Sequence, residues 1–169
     1  MNLTYYHGSR KNFPLGTILR PQTDGYVFDA EVREFESLVD LRRPAEKLSR
    51  FSSVFLSRNI DDIDGAGGYT DAVYSVRVLE PVEKSDLAWY SEAWCLFNDN
   101  GYSCTLDQEV INKLIDAYWS GVAYRIASRS NFEYRVKSAI VDRLVELNVE
   151  LNELDQIEAP GLNNQSCMP

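Results

Sequence analysis

The chain holds a single histidine, His7, in the run Tyr5-Tyr6-His7-Gly8-Ser9. An imidazole at a strand end, followed by glycine and a hydroxyl residue, stands beside free backbone N–H and C=O groups. Such a set can grip an amide or the hydroxyls of a ribose. A lone histidine is also a common structural residue, so its setting is what raises its interest. Glu133 is the second candidate. In residues 131–137 Glu133, Arg135 and Lys137 alternate with Phe132, Tyr134 and Val136, which places the carboxylate on the charged face of a strand. The plain reading is a surface glutamate opposite Arg135 or Lys137. A carboxylate fixed on a strand inside a cleft could instead stabilise a developing cation. Third come the aromatic residues Tyr5, Tyr6, Phe55, Tyr69 and Tyr74, which either pack a core or form a shelf for a flat ring.

Other chemistries have little to stand on. No G-x-S-x-G elbow accompanies His7, so a serine hydrolase lacks its nucleophile turn. Residues 65–69, GAGGY, have neither G-x-G-x-x-G spacing nor a Walker lysine and read as a flexible connector. Cys95, Cys104 and Cys167 form no paired spacing, so the expectation is a reduced, cytoplasmic chain without a metal. Seventeen basic against twenty-six acidic residues give a net charge of −9, which disfavours a nucleic-acid groove but not a small anionic ligand in a local pocket. No apolar run approaches the ~20 residues of a membrane span. The length of 169 residues suits one domain.

These residues need elements to hold them. Residues 3–7 read as a short strand, and the glycines and prolines of 8–28 as mostly loop. Ala30, Phe35, Leu38, Val39 and Leu41 fall at helical spacing behind Asp29 as an N-cap, with a further helical turn after Pro44 to about Leu48. Residues 53–57 read as a buried strand and 72–79 as a half-buried one. Residues 86–97 and the stretch from Leu106 to Gly121 read as helices, 131–137 as a strand, and SAIVDRLVEL as a strand or a strand with a helix. Interleaved strands and helices without βαβ periods predict an α+β fold. The domain is expected over 1–153, with a polar, acidic tail over 154–169.

Taken in order, YYHGSRKNFPLGTILRP, SVFLSRNIDDIDGAGGY, AVYSVRVLEPV and NFEYRVKSAIV resemble the His–Tyr–Glu branch of the ADP-ribosyltransferase superfamily. The opening is most similar to rifampin ADP-ribosyltransferases and to small phage ADP-ribosyltransferases that act as anti-CRISPR proteins. The resemblance implies two small, mostly antiparallel sheets with helices around an NAD cleft. It implies mono-ADP-ribosyl transfer from NAD, as substrate, to a protein acceptor. His7 would then hold the ribose of the nicotinamide half, and the Gly8 backbone the carboxamide. Ser9 and Arg10 would lie beside the dinucleotide, with Arg20, Arg58 and Arg77 as further candidates for its pyrophosphate. Phe55 stands where the branch carries a tyrosine, so Tyr69 or Tyr74 would supply stacking. Glu133 would stabilise the oxocarbenium ion. Asn131, two residues earlier, replaces the first glutamate of arginine-modifying members, which turns the expectation away from an arginine acceptor. An NAD glycohydrolase and a non-catalytic acidic binding module are the alternatives.

Overall fold

The computed structural model describes residues 3–21, 30–65, 69–100 and 105–148. The expected tail, the Asp29 cap, Cys104 and Cys167 lie outside them. Seven strands and three α-helices alternate along the described chain, all strand pairs are antiparallel, and the fold is α+β.

β-Branched and aromatic residues build the first sheet. It consists of β1 (Tyr5–Ser9), β2 (Ile18–Leu19), β4 (Ala72–Val78) and β7 (Ala139–Leu147), in the order β1-β4-β7-β2. The first strand is displaced from expectation. His7 is not its last residue but its middle one, because Gly8 and Ser9 go on pairing with Val73 and Ala72. β4 is buried over Ala72–Val76 on both faces rather than half-buried, as befits a strand between two neighbours. The predicted second helical turn after Pro44 is a single turn closed by the Lys47 amide on the Pro44 carbonyl.

The second sheet has the order β3-β6-β5, from β3 (Val54–Leu56), β5 (Glu83–Asp86) and β6 (Phe132–Val136). Period-two alternation sends its two faces to different places. Val54, Leu56, Tyr134 and Val136 face the first sheet, where Tyr5, Tyr74, Val76 and Val141 complete an apolar core. Phe55, Ser85, Glu133 and Arg135 share the opposite face. That face meets the helices α1 (Ala30–Leu41), α2 (Leu87–Asn100) and α3 (Thr105–Ser120), whose Phe35, Val39, Phe97, Ile115 and Trp119 form a second core. A three-layer arrangement results, with the small sheet in the middle.

Candidate functional site

The two sheets touch along β1. Tyr6 and Ser57 exchange two backbone hydrogen bonds of 2.8 and 2.9 Å, which joins β1 to the chain leaving β3. His7 shares its row with Tyr5 and Tyr74 and points into this seam. Its Nδ1 lies 3.0 Å from the Phe55 carbonyl. A carbonyl can only accept, so Nδ1 carries the hydrogen and neutral His7 keeps its lone pair on Nε2. Burial lowers the His7 pKa from its ordinary value, against the pull of the Phe55 hydrogen bond. The imidazole is therefore neutral near pH 7, with Nε2 ready to accept a hydroxyl hydrogen.

Gly8, Ser9, Arg10 and Tyr69 gather beside it. A Cβ on Gly8 would run into the Tyr69 carbonyl and the Ile63 side chain, so only glycine fits under this part of the chain. The Ser9 hydroxyl accepts from the Lys11 amide at 2.7 Å and turns the chain out of β1. The Arg10 guanidinium stacks 4.1 Å above the Tyr69 ring and pairs with Asp71 at 3.4 Å. Tyr69 is 47% exposed, so a face of this pair is open to solvent. Tyr74 is placed differently. It is 1% exposed; its hydroxyl donates to the Lys11 carbonyl at 2.9 Å and accepts from the Phe13 amide at 3.0 Å. Its ring fastens the 11–13 loop over β4. Arg20, Arg58 and Arg77 are exposed, and Arg58 lies by Tyr134 at a cavity of about 220 Å³ that Asp62 and Phe132 also line. That volume is below the ~300–1,000 Å³ of most small-molecule sites.

Glu133 is where the structure departs most from the sequence reading. The charged face of β6 is the buried face, and Glu133 and Arg135 are each 0% exposed. The surface-glutamate reading is therefore wrong: an alternating pattern fixes that two faces differ, not which one is covered. Glu133 Oε1 accepts from the Tyr118 hydroxyl, from Arg135 Nη1 at 2.6 Å and from Arg50 Nη1 at 2.7 Å. Its Oε2 accepts from Arg50 Nη1 at 2.6 Å. Arg50 Nε reaches back to Glu36 Oε2 at 2.8 Å, and the Tyr90 hydroxyl donates to Glu36 Oε1 at 2.7 Å. Burial alone would raise the Glu133 pKa, but Arg50 and Arg135, with the Tyr118 and Arg50 hydrogen bonds, hold it below the ordinary value. Burial, before any charge, pushes the Tyr90 and Tyr118 hydroxyls far up, so both remain protonated donors.

Phe55 links the two centres. Its carbonyl holds His7, and its ring lies 5.0 Å from the Arg50 guanidinium that grips Glu133. Glu36, Arg50, Tyr90, Tyr118 and Arg135 were not legible as site residues. One signal was available: Glu36 sits between Phe35 and Val39 on the apolar stripe of α1, where a carboxylate demands a buried partner. The two acids of β5, Asp86 and Glu83, have structural partners. Asp86 accepts from the Ala88, Tyr124 and Asn131 amides, and Glu83 from the Leu48 amide.

Compared with protein-family models and with curated proteins, the chain has no match. Among the described residues no helix is long and apolar enough to cross a membrane.

Proposed function

We propose that this chain transfers the ADP-ribose of NAD to a protein acceptor and releases nicotinamide. The observation that carries the reading is His7. It stands where two antiparallel sheets meet, its Nδ1 is engaged by the Phe55 carbonyl at 3.0 Å, and its Nε2 is left to accept from a ligand hydroxyl. The resemblance of residues 5–9 to the ADP-ribosyltransferase opening supplies the ligand, the nicotinamide ribose. In the reaction the bond between C1′ and the nicotinamide nitrogen breaks. Its electron pair leaves with nicotinamide, and C1′ becomes an oxocarbenium ion. The acceptor's nucleophile then bonds to C1′ and sheds its proton. Glu133, kept ionised by two arginines on the helix-facing side of the middle sheet, has the charge suited to that cation, and a ribose held by His7 would have to reach it past Phe55 and Arg50. The Arg10–Tyr69 pair offers a cationic, aromatic edge for the rest of the dinucleotide.

A second reading has its own observation. Both oxygens of Glu133 already have protein partners, as they would in a non-catalytic module that docks through its acidic surface. Incubation with labelled NAD, with and without cell lysate, separates them. Transfer predicts a labelled protein band and free nicotinamide. Nicotinamide without a band makes the protein a glycohydrolase. Absence of both, together with no NAD binding by calorimetry, overturns the transferase reading in favour of the module.

A further inference from the structure

A buried carboxylate can serve a ligand only if a neighbour withdraws. Glu133 has three hydrogen-bonding partners among the described residues. Arg135 and Tyr118 are each 0% exposed, while the Arg50 side chain is 10% exposed and alone of the three reaches solvent. The two oxygens are also unequal. Oε1 is shared by Tyr118, Arg135 and Arg50, whereas Oε2 takes Arg50 only. Oε2 thus has a single partner, and on this enclosed carboxylate the withdrawal of Arg50 alone would open it to a ligand.

Arg50 is the least enclosed of the three. It begins a single 3-10 turn, Arg50–Ser52, rather than lying inside a strand or an α-helix. Its guanidinium is divided among three acceptors, with Nε on Glu36 at 2.8 Å and Nη1 on Glu133 at 2.6 Å and on the Tyr118 hydroxyl at 2.7 Å. The Tyr90 ring at 4.7 Å and the Phe55 ring at 5.0 Å flank it and can keep the cation housed when one carboxylate is released. Glu36 is a second berth already in contact.

We propose that Arg50 is a positioning residue that gates Glu133. It holds the carboxylate in one orientation at rest, and it shifts onto Glu36 when a ligand hydroxyl takes Oε2. For the ligand, a ribose hydroxyl of NAD, the inference rests on the transferase reading; the gate itself does not. In the resting protein Glu133 is closed, and NAD affinity is lowered by the fraction of time the gate is shut.

The test labels carboxylates with a water-soluble carbodiimide and an amine, and locates the products by mass spectrometry. The variant is Glu36→Gln/Arg50→Met, which removes one charge of each sign and keeps side-chain bulk; melting curves confirm folding. Glu133 should label at least tenfold faster in the variant, with exposed Asp116 unchanged as the internal control. The KM for NAD should fall several-fold. Equal Glu133 labelling in the two folded proteins overturns the gate, whatever the turnover. Faster labelling without nicotinamide release from either protein keeps the gate and rejects the transferase reading. If the double variant does not fold, Arg50→Lys replaces it. A single ammonium cannot bridge both acids as the guanidinium does, so Glu133 labelling no faster than wild type there also overturns the gate.

Discussion

In the proposed reading His7 acts through one nitrogen, Nε2. The Phe55 carbonyl fixes which nitrogen is protonated, and burial keeps the ring neutral. Replacing His7 with alanine removes one neutral acceptor, worth about 0.5–1.5 kcal/mol. NAD should then bind roughly 2- to 12-fold more weakly, measured by calorimetry on a variant shown to be folded. Affinity in the wild type should also depend on pH in a set direction. The His7 pKa lies below 6.5, so binding should stay level down to about that pH and weaken as the ring protonates at lower values. Affinity that rises on acidification would contradict an accepting Nε2. Gly8 gives a second test at this scale. Its missing Cβ is what lets the Tyr69 carbonyl approach, so Gly8→Ala must displace backbone rather than a pliable side chain. The expected loss is about 1–3 kcal/mol of stability by thermal melting.

At the scale of elements, the small middle sheet meets the helices through charged groups as well as apolar ones. Glu36 comes from α1, Arg50 from the turn before β3, Tyr90 from α2, Tyr118 from α3, and Glu133 and Arg135 from β6. Removing one partner of such a buried set strands its mates, at about 3–5 kcal/mol. Glu133→Gln should therefore lower the melting temperature by roughly 6–20 °C for a chain of this size. Any loss of turnover in that variant has to be read at a temperature where it remains folded. Tyr74→Phe is the contrasting case. It leaves the Phe13 amide and Lys11 carbonyl without their partner, so about 1–3 kcal/mol of stability should go. NAD kinetics should hardly change, since the ring is enclosed. A large rise in KM would return Tyr74 to the binding surface. Phe55 was legible as an aromatic on a strand; its part in joining His7 to Arg50 was not, because β1 reaches Phe55 only where it bridges the chain leaving β3, across 48 residues.

For the whole molecule, a half-buried histidine and a buried glutamate make acid the direction of weakness. His7 has a lowered pKa, so from 6.5 downward the unfolded chain takes up a proton that the fold resists, and stability falls. Glu133 also has a lowered pKa. Its contribution is complete above the unfolded value of 4.5 and is lost as pH drops through the folded value. Melting temperature should decline in two stages, first below about 6.5 and again below about 4.5. His7→Gln should remove the first stage and leave the second. Persistence of the first stage in that variant would assign it to another group.

The sequence by itself determined most of the elements. Apolar spacing located α1 and α3, the alternation of 131–137 located β6, and a run of interleaved strands and helices fixed the α+β class. These are local properties, set by backbone periodicity and side-chain type. It also singled out His7, because one imidazole before a glycine is visible in any one-dimensional reading. The tertiary structure decided which side of β6 is inside. Strand alternation is symmetric between its two faces, and only the packing of α2 and α3 on one of them turned Glu133 and Arg135 inward. It also brought Arg50 to Glu133 across 83 residues and Glu36 to Arg50 across 14. No local spacing encodes such contacts; they exist because a buried charge is tolerable only where an opposite one arrives with it.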